Sequence, residues 1–206
     1  RRFSYSDLLN NADHFAEKIN ERSLIFIISS NNFACVTGYV GALRANAVVV
    51  LINYSIHESM WKDLIKNFKP AFIYQPKNLF QCEKDWEQKL KFDKYVLYET
   101  NSEIDYDING DLSLLLMTSG STGSPEFVRL SHANICSNTK SICEYLKIGK
   151  NDKAITTLPM SYSYGISIIN THLFSGASLI LTDSSIVEKK FWNLLSEYKA
   201  TNFGGV

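Results

Sequence analysis

The chain has 206 residues, which is long enough to bury one large hydrophobic core or two small ones. A hydrophobic fraction of 45% and an aromatic fraction of 13% are typical of a globular protein with a well-filled interior. The 21 Lys and Arg residues equal the 21 Asp and Glu residues in number, which excludes a strong overall charge that would draw the chain to nucleic acid or to a membrane surface.

The first 75 residues predict helices and strands in alternation. The spacing of residues 4–7 and of residues 55–58 predicts capping boxes at the starts of the first and third helices. Asn31 and Asn32 are expected to cap the second helix, which lies between the first and the third in the chain. Apolar runs at 24–28, 47–52 and 71–74 predict strands that are buried on both faces. The alternation therefore predicts a parallel sheet with right-handed crossovers.

The middle of the chain has a looser pattern. Residues 81–91 carry mixed charge and are interpreted as a helix, and residues 95–98 as a strand. The acidic stretch that follows favours a solvated connector over a metal site, because it lacks the glycine and the terminal glutamate of a calcium loop. Its carboxylates are Glu103, Asp105, Asp107 and Asp111. This connector predicts a boundary between a first subdomain, residues 1–110, and a second, residues 111–206.

The second half also alternates between strand and helix patterns. An apolar run at 112–117 predicts a buried strand, and Ser131 is expected to cap a helix that Gly149 ends. Further strands are predicted at 154–158, 179–181 and 200–203, with helices within 160–174 and 187–198. The predicted fold class is α/β, with two successive strand-helix units that form mostly parallel sheets with helices on their faces.

A loop rich in small hydroxyl residues and glycine follows the strand at 112–117. Its hydroxyl groups can donate hydrogen bonds to an anion, and its glycines allow the backbone to approach a phosphate closely. A flexible connector is the alternative reading of the same composition. The loop has neither the Gly-Lys-Ser/Thr of a Walker motif nor the GxGxxG spacing of a dinucleotide fold. The candidate anion-binding residues are Thr118, Ser119, Gly120, Ser121, Thr122 and Gly123.

Residues 118–134, TSGSTGSPEFVRLSHAN, resemble the phosphate-loop signature of the AMP-forming adenylating superfamily. This superfamily includes acyl-CoA synthetases, luciferases and the adenylation domains of peptide synthetases. The family pattern has Pro-Lys-Gly where this chain has Pro125, Glu126 and Phe127, so Glu126 replaces a lysine that is expected near the phosphates. Residues 24–32 and 39–48 also resemble the family, less specifically.

The resemblance implies that the loop binds the β- and γ-phosphates of ATP. It also implies that residues 158–165 form a wall of the acid-substrate pocket, with Tyr162, Tyr164 and Gly165 as its candidate residues. Tyr162 stands where many acyl-CoA synthetases have histidine. His132 is expected to have a capping or structural role, and no catalytic residue or metal ligand is assigned within the chain.

The predicted function is that of the N-terminal part of an ATP-dependent ligase, which forms an acyl adenylate and pyrophosphate and then a thioester with coenzyme A or a carrier-protein thiol. Mg²⁺ is expected to accompany ATP, with ligands largely outside this chain, so the chain alone is expected to be inactive. The alternatives are a non-catalytic relative that binds a nucleotide or an acyl group, and an interaction module built on the same fold. Whether Glu126 faces the phosphates or solvent stays open.

Compartment is predicted from cysteine usage and from the lack of targeting signals. The cysteines form no CxxC pair and have no companion histidine at metal-ligand spacing, so reduced thiols are expected. No apolar run approaches the length of a membrane span, and no signal-peptide pattern opens the chain. A cytoplasmic location is therefore expected. The cysteines are Cys35, Cys82, Cys136 and Cys143.

Overall fold

The computed structural model describes residues 1–102, 106–118 and 126–205. The chain divides into two compact units, one formed by residues 1–29 and 33–130, and the other by residues 30–32 and 131–206. These are units of packing, and the division into subdomains at residues 110 and 111 stays a prediction.

The first unit is built on a seven-stranded sheet with the strand order β4-β5-β3-β1-β2-β6-β7. Strands β1, β2, β3 and β6 are parallel neighbours, whereas β5 and β4 add to one side in antiparallel pairing. The predicted α/β class with a mostly parallel sheet is therefore confirmed. The helices are α1 (Tyr5–Ala16), α2 (Phe33–Arg44) and α3 (Glu58–Phe68); the strands are β1 (Leu24–Ser29), β2 (Val48–Asn53), β3 (Phe72–Pro76), β4 (Glu87–Phe92), β5 (Tyr95–Glu99), β6 (Leu112–Thr118) and β7 (Glu126–Ser131).

The core of this unit lies on both faces of the central strands. All six residues of β1 are buried, as expected of a parallel strand that is covered on each side. On one face, the Trp61 ring of α3 lies 6.0 Å from the ring of Phe26 in β1. Towards α1 and α2, the Phe15 ring meets the edge of the Tyr74 ring at 5.0 Å. Both faces of the sheet are therefore packed against helices.

The first turns of α1 and α3 test the two predicted capping boxes. The predicted box at α1 is confirmed, because the Ser4 hydroxyl accepts from the Asp7 N–H at 3.1 Å and the Asp7 carboxylate accepts from the Ser4 N–H at 2.7 Å. The box predicted at residues 55–58 is wrong. There the cap is His57, whose ring Nδ1 accepts from the Ser59 N–H at 3.4 Å. An imidazole nitrogen therefore caps this helix in place of the predicted serine hydroxyl.

The helix predicted at residues 81–91 is also wrong, since the structure has strand β4 at Glu87–Phe92. This strand pairs with β5, and the register shifts between Gln88 and Leu90. The Lys89 ammonium lies 2.8 Å from the Glu99 carboxylate on β5 and 3.4 Å from that of Glu87. Cross-strand charge pairs of this kind favour the hairpin over a helix.

The second unit contains a three-stranded parallel sheet with the order β10-β8-β9. Helix α4 begins with the predicted cap, since the Ser131 hydroxyl accepts from the Asn134 N–H at 3.1 Å. Across both units, no helix among the described residues is long and apolar enough to cross a membrane. The helices are α4 (His132–Leu146), α5 (Ser163–Phe174) and α6 (Lys189–Tyr198); the strands are β8 (Lys153–Ile155), β9 (Ser178–Ile180) and β10 (Asn202–Phe203).

Gly38 lets α2 approach the sheet closely, and this makes it sensitive to substitution. A Cβ atom at Gly38 would lie 2.5 Å from Cε1 of Tyr74, a buried side chain whose hydroxyl donates to the Ala34 carbonyl at 3.3 Å. We expect Gly38→Ala to lower the free energy of unfolding by about 1–3 kcal/mol. Urea unfolding measures this, with Gly149→Ala as the control, because a Cβ there meets nothing within 4 Å. Equal midpoints for the two variants would contradict the packing.

Burial raises the pKa of Tyr74 well above its usual value. Since a tyrosine in the unfolded chain ionises near pH 10, the stabilisation from protonated Tyr74 is fully present below about pH 10 and falls by roughly 1.4 kcal/mol per pH unit above it. Urea denaturation between pH 9 and pH 11.5 measures the free energy of unfolding. We expect its decline with pH to be shallower in Tyr74→Phe than in wild type by about this slope above pH 10. Tyr54→Phe, at an exposed tyrosine, is the control. Identical alkaline slopes for wild type and Tyr74→Phe would rule the interpretation out.

Candidate functional site

Thr118 ends β6 at the edge of the sheet where the parallel strands have their carboxyl ends. Strand β6 pairs in parallel with β2, with Leu116 opposite Leu51. Ligands of open α/β sheets bind outside this edge. The exposed Thr118 hydroxyl donates to the backbone carbonyl of Glu126 at 3.3 Å, so the first residue of the predicted loop and the first residue of β7 lie side by side. The loop residues Ser119, Gly120, Ser121, Thr122 and Gly123 lie outside the described residues, and their phosphate-binding role stays a prediction.

Asn53 is a polar residue at the same edge that the sequence analysis did not assign. It lies two residues beyond Leu51, as Thr118 lies two residues beyond Leu116, so the two residues end neighbouring strands. The Asn53 side-chain oxygen accepts from the Ser55 N–H at 2.8 Å and turns the chain towards α3. The signal in the sequence was a polar residue directly after a buried strand.

The face of β7 on which Glu126 lies follows from its neighbour Phe127. Phe127 is partly buried against the core, and its ring meets that of Phe68 at 5.1 Å. Because side chains alternate along a strand, Glu126 points to the opposite face from Phe127, and it is exposed. Arg129, three residues on, lies on the face of Phe127. The Arg129 guanidinium is therefore poorly placed to offset the negative charge of Glu126.

In the second unit, the carboxyl edge of the sheet brings together Thr157, after β8, and Gly204, after β10. The Thr157 hydroxyl donates to the Gly204 carbonyl. A Cβ atom at Gly204 would lie 3.1 Å from Cζ of Tyr164, so the Tyr164 ring rests against the bare backbone of this glycine. Thr157 and Gly204 were not among the predicted site residues, although Thr157 lies two residues after β8 and Gly204 directly follows β10.

The predicted pocket residues Tyr162, Tyr164 and Gly165 lie together at the start of α5. The Tyr162 N–H donates to the Pro159 carbonyl at 3.0 Å. A Cβ atom at Gly165 would lie 2.0 Å from that same oxygen, so only glycine allows this close approach. The side chains of Tyr162 and Tyr164 are 49% and 41% exposed, which leaves both phenols within reach of a ligand. Their role in substrate binding stays a prediction.

Asn31 holds the turn that leads to α5, contrary to the expectation that it caps a helix. Its side-chain amide donates to the carbonyls of Leu158 and Thr182, each at 3.1 Å. Its backbone N–H donates to the Asp183 carboxylate at 2.7 Å. Residues 30–32 belong to the second unit, although the flanking elements β1 and α2 belong to the first. This tertiary role leaves no trace in the local sequence.

An open groove of about 510 Å³ lies beside Asn31. It includes none of the predicted pocket residues Tyr162, Tyr164 and Gly165, and its charged side chains are two carboxylates and one ammonium. Its lining residues are Asn31, Leu181, Thr182, Asp183, Ser184, Glu188, Lys190 and Leu194.

His132 and Cys136 are neighbours on α4, a pairing that was not among the predicted site features. The Nε2 atom of His132 lies 3.4 Å from the Sγ atom of Cys136. The spacing of four residues on a predicted helix was the signal that could have found the pair. Within the described residues, no group of three His, Cys, Asp or Glu side chains could hold a metal ion.

Comparisons with known proteins agree on one family. A family model described as AMP-binding enzyme matches residues 1–206. The D-alanine–D-alanyl carrier protein ligase of Staphylococcus aureus (strain JH9) is 22% identical over 193 residues, which is 90% of this chain and 39% of that protein.

Two solved structures show the same fold at low sequence identity. O-succinylbenzoate coenzyme A synthetase (MenE) from Bacillus subtilis, in complex with AMP, has a TM-score of 0.78 at 16% identity, with 100% of this chain and 56% of that chain covered. Apo MatB from Rhodopseudomonas palustris has a TM-score of 0.75 at 17% identity, with 98% and 44% covered. The chain thus spans less than two thirds of each relative.

We expect Asn31→Ala to destabilise the protein, because the Leu158 carbonyl loses the Asn31 amide as its donor and the Thr182 carbonyl keeps only the Thr156 hydroxyl. The expected loss is about 1–3 kcal/mol in the free energy of unfolding, measured by urea denaturation. Asn151→Ala, at an exposed asparagine, is the matched control and should stay within about 0.5 kcal/mol of wild type. An Asn31→Ala midpoint equal to that of the control would show that the two side-chain contacts contribute nothing.

Proposed function

Since the chain belongs to the family of AMP-binding enzymes, we propose that it is part of an ATP-dependent ligase that converts a carboxylic acid and ATP into an acyl adenylate and pyrophosphate. The observation that carries the proposal is the position of Thr118. Its exposed hydroxyl stands at the carboxyl edge of a parallel sheet, at the base of a loop rich in serine, threonine and glycine. This edge is where α/β folds bind phosphate-bearing ligands.

The loop residues would bind ATP through its β- and γ-phosphates. Thr118, Ser121 and Thr122 offer hydroxyl donors, and Gly120 and Gly123 leave backbone N–H groups accessible. Such preorganised donors stabilise the negative charge that grows on the leaving pyrophosphate. The attacking carboxylate is already ionised at neutral pH, so the step needs no general base. We expect Mg²⁺ to accompany ATP, with its ligands largely supplied by other parts of the protein.

The acid substrate would bind at the start of α5. The phenols of Tyr162 and Tyr164 provide apolar ring surface together with hydroxyl groups that can hold a carboxylate. Gly165 keeps the helix close to the Pro159 carbonyl, and Gly204 leaves room beside the Tyr164 ring. A wall of this kind suits an acyl group of modest size.

We further propose that the acyl group passes to a thiol, which would belong to coenzyme A or to a carrier protein. The name of the S. aureus relative specifies a carrier protein, and that of the B. subtilis structure specifies coenzyme A. Both acceptors are thiols, so the chemistry of the final step is the same for either.

A second candidate, a relative that binds a nucleotide or an acyl group without turnover, is favoured by Glu126. An acidic residue after the loop, where the family pattern has lysine, removes a positive charge and adds a negative one beside a polyanion. Turnover of any carboxylic acid with ATP would exclude this candidate.

The charge at Glu126 gives the test of the proposed function. We expect Glu126→Lys, in the whole protein that carries this chain, to lower the KM for ATP in ATP–pyrophosphate exchange by roughly two- to fivefold, a modest effect because the side chain is exposed. Glu144→Lys makes the same charge change at an exposed site on α4 and serves as the control. The gain should shrink as salt is raised.

Two outcomes would contradict the proposals. Equal KM values for Glu126→Lys and Glu144→Lys would show that residue 126 does not act on the nucleotide. Failure of both variants and of the wild type to exchange pyrophosphate with any carboxylic acid, despite measurable ATP binding, would favour the non-catalytic relative.

A further inference from the structure

The side chains of His132 and Cys136 form a thiol–imidazole pair outside the candidate site. They lie one helical turn apart on α4, with Nε2 3.4 Å from Sγ. The helix cap is Ser131, whose hydroxyl accepts from the Asn134 N–H, so the imidazole is not occupied in capping. A nucleophile within reach of a base is the arrangement that activates thiols towards electrophiles.

Reagents can reach this pair. His132 is exposed and Cys136 is partly exposed, whereas Cys35 is fully buried. On the helix surface, the positions three and four residues from Cys136 hold His132, Ala133, Thr139 and Lys140, so no carboxylate faces the sulfur from its own helix.

Cys143, on the same helix, has different partners and forms an internal comparison. It also lies within four residues of a lysine and is also partly exposed. Its sulfur, however, contacts the Thr171 carbonyl at 3.5 Å and the Ser175 hydroxyl at 3.3 Å, both at the end of α5. Neither group is a base that can take the thiol proton. The two cysteines therefore differ in their neighbours, because Cys136 contacts an imidazole that can accept its proton and the groups that contact Cys143 cannot.

We propose that Cys136 is a modification site at which the thiol, assisted by His132, exchanges with small disulfides. Nε2 of His132 accepts the thiol proton as Sγ attacks one sulfur of the disulfide. The S–S bond of the reagent breaks, its electron pair leaves with the second sulfur, and that thiolate takes up a proton. Cys136 is thereby oxidised to a mixed disulfide, and the departing half of the reagent is reduced to a thiol.

Site-resolved modification of the purified protein by glutathione disulfide tests this proposal. After acid quenching, peptide mass spectrometry measures the rates at Cys136 and Cys143 separately. We expect Cys136 to react roughly tenfold faster than Cys143, a smaller factor than an enclosed general base supplies. His132→Gln should bring the rate at Cys136 down to that of Cys143 and leave the rate at Cys143 unchanged.

The controls separate base assistance from simple exposure. His132→Asn is a second variant that removes the base, and because residue 132 is exposed and Ser131 keeps the cap, circular dichroism should match wild type for both variants. Cys136→Ser should abolish the fast adduct. Equal rates at the two cysteines in wild type, or a rate at Cys136 that survives both His132 variants, would overturn the proposal.

Discussion

The burial of parallel strands on both faces is the constraint on which the first unit depends. Strands β1 and β2 are apolar along almost their whole length and need cover on each side. Parallel pairing requires crossovers, which α2 and α3 supply, and it brings the carboxyl ends of β1, β2, β3 and β6 to one edge. Thr118 and Asn53 are therefore neighbours because of how the core is covered. The short sheet of the second unit repeats this logic, with Thr157 and Gly204 at its carboxyl edge.

Where the signal was local, the sequence was enough to predict the structure. Isoleucine-rich runs predicted the buried strands, and the spacing of Ser4 and Asp7 predicted a cap that forms. Asn46 adopts the left-handed conformation with a φ of 57°, which asparagine tolerates better than most residues. The helix predicted at residues 81–91 does not form. A mixed-charge segment has no clear hydrophobic period, and pairing with a neighbouring strand decides its structure. The role of Asn31 depends on carbonyls more than 120 residues away, which no local pattern records.

The candidate site was predictable in part. The resemblance assigns the loop and the start of α5 to the site because both are contiguous motifs, and both assignments stay predictions. The face of β7 on which Glu126 lies could not be predicted from the residue itself. It follows from Phe127, which packs on Phe68, because neighbouring side chains of a strand point to opposite faces. The approach of Tyr164 to Gly204 joins segments 40 residues apart and needed the fold. The pair of His132 and Cys136 was within reach of the sequence, since four residues make one turn of a helix.

The charged side chains on the outer strands oppose association of two molecules through the edges of their sheets. In the described part of the large sheet, the outermost strands are β4 and β7. Unpaired backbone groups on such strands invite a strand from another molecule, and charged side chains oppose this association. Strand β4 carries Glu87, Lys89 and Lys91, and β7 carries Glu126 and Arg129. Glu126, the residue that weakens the resemblance to the family, is thus one of the charges that oppose the addition of a strand from another molecule at β7.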